Sequence, residues 1–366
     1  MHAPKNGFFY VIDRTNGKLI SAKPYTPVTW ATGIDMKTGR PIENPAARYG
    51  VKPEAVVPGP IGGHNWQPMA YNPQTGLVYI PVIEGSFAFN QEKPLAYEPG
   101  AWNTGNDFAM LGNVVLQMIQ EGKPPPPTKG FIRAWDPVKQ KMAWQVPMTG
   151  AWNSGMLTTA GGLLFAGGSD GIFSAYDAKT GKTLWSIDLK TGIIAPAMTY
   201  TVDGEQYVAV AAGWGGSGGL GATGDTQTAV MKYGNNQGRI FAFKLGGNQK
   251  VAALPSELPQ NLPKPPDEKI DTAMATKGFN LFHRHCAVCH GVLLQSSGEV
   301  PDLRSAAPEI WGQYDDIVLN GALADAGMAS FKDLLNKDDV AAIRAYVLQQ
   351  AHVAWDEKQK QKAKPH

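Results

Sequence analysis

The chain has 366 residues, of which 43% are hydrophobic and 17% are charged, so it is long enough to fold into two domains with buried cores. Its 33 basic and 31 acidic residues leave a formal net charge of +2, which gives no electrostatic reason to expect a nucleic acid or an anionic membrane as partner. The sequence has no run of about 18 consecutive apolar residues, the length that predicts a membrane-spanning helix. Its first residues also lack the basic and apolar regions of a signal peptide.

Short apolar or alternating runs fill residues 1–245, and clusters of Gly, Asn, Asp and Pro separate them. This pattern predicts antiparallel strands joined by tight turns. Two hairpin sequences, GFIRAWDPVKQKMAWQV and GIFSAYDAKTGKTLWSI, carry their aspartates and their tryptophans at the same 41-residue spacing. A repeat of this length is typical of propeller blades, and about four blade-like units are present. We therefore expect an incomplete all-β propeller; an open β-sandwich with coincidental repeats is the alternative.

Three further segments differ from this pattern. Residues 83–128 are polar and end in four prolines, so we expect a loop that wraps over the propeller. Residues 246–269 are rich in proline and have no hydrophobic period, which predicts an extended linker between domains. Residues 270–366 contain helical patterns on both sides of a cysteine motif and end in a lysine-rich tail. They predict a second, all-α domain.

The two cysteines of the chain, Cys286 and Cys289, lie three residues apart, and His290 follows them. This spacing predicts a covalently attached haem c, because both thiols can bond one haem while the histidine binds its iron. A thioredoxin-like redox pair and half of a zinc site are the alternatives. The first needs no adjacent histidine, and the second needs further ligands that the chain does not offer in cysteine. The motif therefore predicts electron transfer.

A sixth ligand to the iron must come from the other side of the haem. Met328 is the only methionine after the cysteine motif and is the candidate, with His352 on the last helix as the alternative. A thioether ligand raises the reduction potential relative to two histidines, which suits an electron acceptor. Pro301 matches the loop proline whose carbonyl orients the proximal histidine in c-type cytochromes; a plain turn proline is the alternative.

Several segments together resemble the C-terminal part of quinohaemoprotein alcohol dehydrogenases, which join a pyrroloquinoline quinone (PQQ) propeller to a cytochrome c domain. The segments include APKNGFFYVIDRTNGKLISA, GHNWQPMAYNP, GAWNSGMLTTAGGLLFAGGSDG, AAGWGG and GRIFAFKL, followed by CAVCHG and GMASF. The resemblance covers nearly the whole chain. It implies oxidation of an alcohol to an aldehyde, with electrons passing from PQQ to haem c and on to an external copper protein, cytochrome or quinone. It also implies a periplasmic location.

The resemblance further implies contacts to PQQ. Lys5 matches the lysine that hydrogen-bonds the quinone oxygens, where a cation stabilises the negative charge that develops on reduction. Asn65 and Trp66 match the pair that borders the cofactor. A solvated Lys5 and purely structural roles for Asn65 and Trp66 are the alternatives. For Trp214 we leave open whether it lines the central cavity or only packs.

Family members continue upstream of the position that corresponds to Met1. We expect the catalytic aspartate and the Ca²⁺ ligands there, so no catalytic residue is assigned in this chain. We expect about half of an eight-bladed ring of tryptophan-docking blades, as a fragment or the product of a truncated gene. Exposed strand edges would then favour association with a complementary chain. The alternative functions are an electron-transfer cytochrome c module on a catalytically incomplete propeller and a scaffold propeller with a haem sensor.

Overall fold

The computed structural model divides into two compact units, one of Met1–Asn90 with Pro126–Glu257 and one of Gln91–Pro125 with Leu258–His366. The first unit is built of strands and the second of helices. The structure describes residues 1–50, 53–91, 97, 103–122, 128–214, 232–233, 237–255, 262–294 and 300–362.

The first unit contains two antiparallel four-stranded sheets, ordered β6-β7-β9-β10 and β11-β12-β13-β14, and a three-stranded sheet ordered β15-β16-β17. Three smaller pairs are β1-β2, β3-β4 and β5-β8. The strands are β1 (Phe8–Ile12), β2 (Leu19–Pro24), β3 (Ala31–Ile34), β4 (Pro41–Glu43), β5 (Glu54–Val56), β6 (Ala70–Asn72), β7 (Leu77–Glu84), β8 (Phe87–Phe89), β9 (Lys129–Asp136), β10 (Lys141–Met148), β11 (Leu157–Thr158), β12 (Leu163–Gly167), β13 (Ile172–Asp177), β14 (Thr183–Asp188), β15 (Met198–Val202), β16 (Glu205–Ala212) and β17 (Arg239–Phe243).

The repeated hairpins are β9-β10 and β13-β14, and an aspartate opens each turn. Asp136 Oδ1 accepts hydrogen bonds from the N–H groups of Val138 and Lys139 at 3.0 and 2.9 Å. Asp177 Oδ1 accepts two from Thr180, one from its hydroxyl and one from its N–H, each at 2.8 Å. These bonds, chiefly from Lys139 and from Thr180, hold the pKa of both carboxyls below the usual value. The charged aspartate therefore stabilises the turn that the sequence repeat predicts.

The two repeated tryptophans each contact the following sheet. The Trp144 ring lies 5.7 Å from the ring of Tyr79 in its own sheet, and a Cβ added to Gly181, in the β13–β14 turn of the following sheet, would come within 2.6 Å of it. Gly181 has φ +75°, so this turn position favours glycine both for its backbone and for the space the indole takes. Trp185 packs edge-on against Phe243 of β17, with ring centroids 5.4 Å apart. The two indoles thus join neighbouring sheets.

The core of the first unit lies along β7 and β9, where side chains on both faces are buried. Full burial of such an aliphatic or aromatic side chain stabilises the fold by about 1.5–3 kcal/mol. The residues with no exposed surface on these two strands are Tyr79, Ile80, Ile132 and Ala134. Burial on both faces explains why β7 reads as a continuous apolar run rather than an alternating one.

The second unit is helical. The side chain of Asp271 caps the helix Thr272–His285 by accepting hydrogen bonds from the N–H groups of Ala273 and Met274 at 2.8 and 3.1 Å. The helices are α1 (Phe108–Gln120), α2 (Thr272–His285), α3 (Ala287–His290), α4 (Tyr314–Val318) and α5 (Lys337–Lys362). No helix among the described ranges is long and apolar enough to cross a membrane.

Helices α2 and α5 pack closely around a glycine. A Cβ added to Gly278 would lie 1.9 Å from the carbonyl oxygen of Ala342, so only glycine allows this approach of the two backbones. One face of α5 is buried, with Ile343 and Tyr346 each 3% exposed and Val347 fully buried. The helical pattern predicted after the cysteine motif is therefore confirmed in α5.

The segment 83–128 differs from the loop that its sequence led us to expect. It contains α1, which belongs to the helical unit and packs against α2. Asp107 caps α1 by accepting a hydrogen bond from the N–H of Met110 at 2.9 Å. The prolines and polar residues around it concealed an apolar helical run in the middle of the segment. The expectation of a loop over the propeller was therefore wrong for this helix.

Candidate functional site

The cysteine motif forms one tight turn between α2 and the end of α3. The carbonyl of Cys286 accepts hydrogen bonds from the N–H groups of Cys289 and His290 at 3.1 and 2.9 Å. Both thiols are free of disulfide bonds. The turn therefore holds two thiols and one imidazole within five residues of backbone, as attachment of one haem requires.

The imidazole of His290 is buried, with 9% of its surface exposed. Its Nδ1 lies 3.3 Å from the carbonyl oxygen of Pro301. Because a carbonyl only accepts, Nδ1 carries the proton and the lone pair lies on Nε2, the atom that binds an iron. Burial lowers the pKa of His290 and keeps the ring neutral, although the bond to Pro301 opposes this shift. The predicted contact of Pro301 is present.

The thiol of Cys286 is unlike that of a thioredoxin-type redox pair. Burial, reinforced by the charge of Cys289, raises the pKa of Cys286 to about 12. A reactive redox cysteine has a lowered pKa, so this environment does not favour that alternative. Within the described ranges, no three His, Cys, Asp or Glu side chains come close enough to hold a metal ion.

Met328 packs against the core of the helical unit, and so does Cys286. His352, the alternative ligand, is occupied elsewhere, because its Nε2 lies 2.9 Å from the carbonyl oxygen of Pro266. The arrangement thus favours Met328. The buried residues of this core, here called the helical core, are Phe282, Leu294, Trp311, Tyr314, Val318, Leu319, Leu335, Val340, Ile343, Tyr346, Val347, Leu348 and Ala351.

Two buried donors of the helical core lack a hydrogen-bond partner in the part of the chain that the structure describes. They are Trp311 Nε1 and Tyr314 Oη, on rings that stack with centroids 5.8 Å apart. Burial raises the pKa of Tyr314, and the charge of the nearby Cys286 adds to this shift. An unsatisfied buried donor costs about 1–3 kcal/mol. Polar groups of a haem bound at Cys286 could accept these two hydrogen bonds. The sequence analysis did not select either residue.

Lys5 lies against a loop that begins at Pro60. Its Nζ donates a hydrogen bond to the carbonyl of Pro60 at 3.1 Å, and its own carbonyl accepts one from the N–H of Gly63 at 3.0 Å. A Cβ on Gly62, which has φ +82°, would lie 2.5 Å from Lys5 Cγ. The loop therefore needs glycine at this position to let Lys5 approach. The ammonium group has two further N–H donors for a ligand.

Asn65 closes the same loop. Its Nδ2 donates to the carbonyl of Ile61 at 2.7 Å, and its Oδ1 accepts from the N–H of Trp66 at 2.9 Å. The main-chain N–H of Trp66 is therefore already bonded within the loop, whereas its indole is 53% exposed. The structure thus brings Lys5, Asn65 and Trp66 to one loop, although they are separated by 60 residues of sequence.

Two neighbouring residues of this loop, His64 and Gln67, were quoted within the motif GHNWQPM but not selected as site residues. Gln67 is 2% exposed, and its Nε2 lacks a hydrogen-bond partner within the described ranges. A buried amide donor in the loop that contacts Lys5 fits a polar group of a ligand, such as a carboxylate of PQQ. Only burial distinguishes Gln67, and burial cannot be read from the motif.

Trp214 has no exposed surface and forms a small core with Ile194 and the partly buried Trp152. A Cβ on Gly192 would lie 2.6 Å from its ring. The indole therefore has a packing role. The glycine-rich sequence that follows it lies outside the described residues.

Comparison with known families defines the class of the protein. Residues 34–208 match the beta-propeller domain of glucose/ethanol/alcohol dehydrogenases, and residues 273–347 match subunit III of cbb3-type cytochrome c oxidase. The chain thus combines a PQQ-type propeller domain with a cytochrome c domain. These two domains imply PQQ and haem c as cofactors.

Individual relatives specify the family. The chain is 41% identical to quinohemoprotein alcohol dehydrogenase ADH IIB of Pseudomonas putida, over 95% of this chain and 49% of the relative. It is also 41% identical to the quinohemoprotein alcohol dehydrogenase of Comamonas testosteroni, over 95% of this chain and 48% of the relative. The solved structure of ADHIIG from Pseudomonas putida superposes with a TM-score of 0.85 at 38% identity, over 99% of this chain and 53% of that one. Over nearly its whole length the chain is homologous to quinohaemoprotein alcohol dehydrogenases, and it spans about half the length of the curated relatives it matches.

Proposed function

We propose that this chain takes part in the PQQ-dependent oxidation of alcohols to aldehydes and receives the electrons on a haem c bound through Cys286 and Cys289. The observation that carries the proposal is the neutral, buried imidazole of His290, whose Nδ1–H bond to Pro301 directs the Nε2 lone pair away as an iron ligand. Met328 is the proposed ligand on the opposite side of the iron. Homology to these dehydrogenases supplies the reaction class.

The residues of the helical core have separate roles in this proposal. Thioether bonds from the two cysteines fix the haem to the α2–α3 turn, and Pro301 orients the ring of His290. Trp311 and Tyr314 would donate hydrogen bonds to polar groups of the haem, which satisfies two buried donors. Methionine ligation and exclusion of water both favour a high reduction potential, as an electron acceptor needs.

The residues proposed to hold PQQ are Lys5, Asn65 and Trp66. When bound, PQQ supplies the two-electron acceptor for the alcohol. The ammonium of Lys5, oriented by the carbonyl of Pro60, places a positive charge where negative charge develops on the quinone oxygens. Asn65 holds the loop and keeps one amide N–H for the cofactor, and the half-exposed indole of Trp66 borders it. Gln67 offers a further buried donor.

The finer architecture is also part of the proposal. We assign residues 1–245 to the propeller, 246–269 to the linker and 270–366 to the cytochrome c domain, with α1 as an addition to the last. The sheets would be tryptophan-docking blades forming about half of an eight-bladed ring, as the contacts of Trp144 and Trp185 suggest. The catalytic aspartate and the Ca²⁺ ligands would lie in the part of the relatives that this chain does not span.

The cellular setting follows from the cofactor chemistry. Covalent attachment of haem to a CxxCH motif takes place outside the cytoplasm, so we place the holoprotein in the periplasm. Oxidation of an alcohol to an aldehyde releases two electrons, whereas a haem iron takes one at a time. The external acceptor, a copper protein, a cytochrome or a quinone, must therefore be reduced in two single-electron steps per turnover.

The test is alcohol-driven reduction of the haem in the purified holo-chain, reconstituted with PQQ and Ca²⁺ and followed by the haem absorption bands. Reduction of the haem by a primary alcohol would support the proposal, and Lys5→Ala should then slow this reduction while dithionite still reduces the haem fully. Lys18→Ala, on an exposed turn of the same unit, is the matched control and should leave the rate unchanged.

A second candidate function is an electron-transfer module on a catalytically incomplete propeller. It is favoured by the contrast between the two sites, because the proposed haem ligands are all present whereas the calcium ligands are expected outside the chain. Reduction by dithionite alone, with no response to alcohol, would support this function and contradict the first.

A further inference from the structure

His64 lies between the two segments proposed to contact PQQ. Its Nδ1 is 2.6 Å from the carbonyl oxygen of Ala3, two residues before Lys5. Its Nε2 is 2.6 Å from the carbonyl oxygen of Gln67, next to Trp66. One imidazole therefore bridges two segments that are more than 60 residues apart in sequence.

Both partners of this imidazole are backbone carbonyls, which accept hydrogen bonds and cannot donate them. A neutral imidazole has one N–H, so it can satisfy only one of the two contacts, and its other nitrogen would turn a lone pair toward a carbonyl oxygen. The imidazolium has an N–H on each nitrogen and satisfies both. Ala3 is fully buried and Gln67 is 2% exposed, so water does not readily replace either contact.

We propose that His64, in its doubly protonated form, is a positioning residue that clamps the Lys5 segment to the Asn65–Trp66 turn. The inference rests on the proposed function, because it assigns His64 a role in ordering the PQQ contacts. Two other hydrogen bonds hold the Lys5 segment: Gly63 N–H, in the same loop as His64, donates to the Lys5 carbonyl at 3.0 Å, and the Tyr25 hydroxyl, after β2, donates to the Pro4 carbonyl at 2.8 Å. The ammonium of Lys5 on the Pro60 carbonyl is one cationic contact with the loop, and His64 adds a second.

The clamp should respond to pH. The ionisable groups around it are His2, the amino terminus and Lys5 on the bridged segment, and the phenol of Tyr25 after β2. Burial lowers the pKa of His2, and the charges of His64 and of the amino terminus lower it further. If His64 loses its second proton, one bridge is lost and the Lys5 segment loosens.

The protonation of His64 can be measured without any cofactor, by NMR of the full chain labelled with ¹⁵N-histidine and assigned through His64→Gln. We expect both ring nitrogens of His64 to carry a proton in the folded chain, and a pH titration of these signals measures when the second proton is lost. In the same titration, the Gly63 amide should exchange faster once His64 is neutral. A single neutral tautomer throughout the pH range in which the chain is folded would overturn the proposal. This measurement on the unmodified chain does not depend on whether PQQ binds.

The consequence for the cofactor is tested by PQQ binding to the same chain, followed by quenching of tryptophan fluorescence from about pH 6 to about pH 9. We expect the affinity of the unmodified chain to fall with rising pH. His64→Gln, whose one amide nitrogen cannot bridge both carbonyls, should bind about tenfold more weakly with a flatter profile. His352→Gln, in the helical unit, is the matched control and should behave as the unmodified chain.

The outcomes separate the two proposals. Absence of PQQ binding by the unmodified chain would count against the proposed function, and the NMR titration would still decide the clamp. PQQ binding with equal affinity and equal pH dependence in His64→Gln and the unmodified chain would overturn the positioning role of His64.

Discussion

Gly112 of α1 lies directly against His283 of α2, so that a Cβ on Gly112 would come within 2.7 Å of the imidazole Cδ2. The ring has little freedom to move, because Nδ1 lies 2.8 Å from the carbonyl of Phe279 and Nε2 accepts a hydrogen bond from the N–H of Leu293 at 3.2 Å. Leu293 follows the haem motif by three residues. Helix α1, from the segment between β8 and β9, thus supports the histidine that holds this part of the haem loop.

Gly112→Ala should destabilise the helical unit. Alanine has a higher helix propensity than glycine, which stabilises the helix by about 1 kcal/mol. The added methyl group, however, contacts the His283 ring, which hydrogen bonds hold at both nitrogens. Overpacking of this kind destabilises a fold by about 1–3 kcal/mol, so we expect a net loss of stability. Denaturant unfolding followed by the haem band measures it. Gly312→Ala, with open space around its Cα in the same unit, is the control, and equal stability of both variants would contradict the packing role.

The stability of the helical unit should fall as the pH drops below about 6.5. Burial lowers the pKa of His283, so the ring is neutral in the folded state and takes up a proton more readily when the chain unfolds. The contribution of neutral His283 to the free energy of unfolding is complete above the pKa of the unfolded state. It is lost as the pH falls toward the lower pKa of the folded state. Unfolding of the holoprotein between about pH 7 and pH 5 measures the slope.

His283→Gln is the variant that tests this assignment. It removes the titrating group and keeps an acceptor for the N–H of Leu293, so the slope in this pH interval should become smaller. An unchanged slope would show that another group causes the pH dependence of unfolding.

Tyr314→Phe should weaken the holoprotein. The hydroxyl is buried and lacks a partner among the described residues, so it costs free energy unless the haem accepts its hydrogen bond. If it does, removal should cost about 1.5–3 kcal/mol, the value for a bond to a charged group, and should shift the haem potential. Denaturant unfolding and a redox titration measure the two effects. Tyr200→Phe, on the exposed strand β15, is the control, and a stabilised Tyr314→Phe holoprotein would contradict the haem contact.

Replacement of Met328 should change the iron without releasing the haem. We expect Met328→His to lower the haem reduction potential, because imidazole replaces a thioether, while both thioether bonds to the chain remain. His352→Gln should leave the visible spectrum and the potential unchanged, since this ring bonds to Pro266. Loss of the native spectrum in His352→Gln rather than in the Met328 variant would reverse the assignment of the sixth ligand.

The two repeated tryptophans should differ in their contribution to stability. Trp144 is half-buried between Tyr79 and the turn at Gly181, and Trp185 is 40% exposed. We expect Trp144→Ala to cost about 3 kcal/mol, near the lower end for a large aromatic residue, and Trp185→Ala to cost less. Thermal unfolding followed by far-UV circular dichroism measures both. A larger loss of stability in Trp185→Ala would show that the contact of Trp144 with the turn at Gly181 is not its main contribution to stability.

Local signals carried most of what the sequence predicted correctly. The turn at Cys286–His290 depends on residues within one helical turn, and the aspartate turns of the hairpins depend on neighbours two to four residues away. Such patterns can be read because the residues that act together are also close in sequence. The bond of His290 to Pro301, eleven residues away, was reached only through resemblance to c-type cytochromes.

Long-range contacts decided the rest. Helix α1 was concealed by its proline-rich surroundings, and its packing on α2 brings together Gly112 and His283, which are far apart in the chain. The bridge of His64 to Ala3 and the burial of Gln67 likewise arise only when the first segment folds onto the loop after Pro60. The sequence by itself determined which chemical groups are present and the local turns that hold them. Burial and hydrogen bonding between distant residues, which set the protonation of each group, were decided only by the tertiary structure.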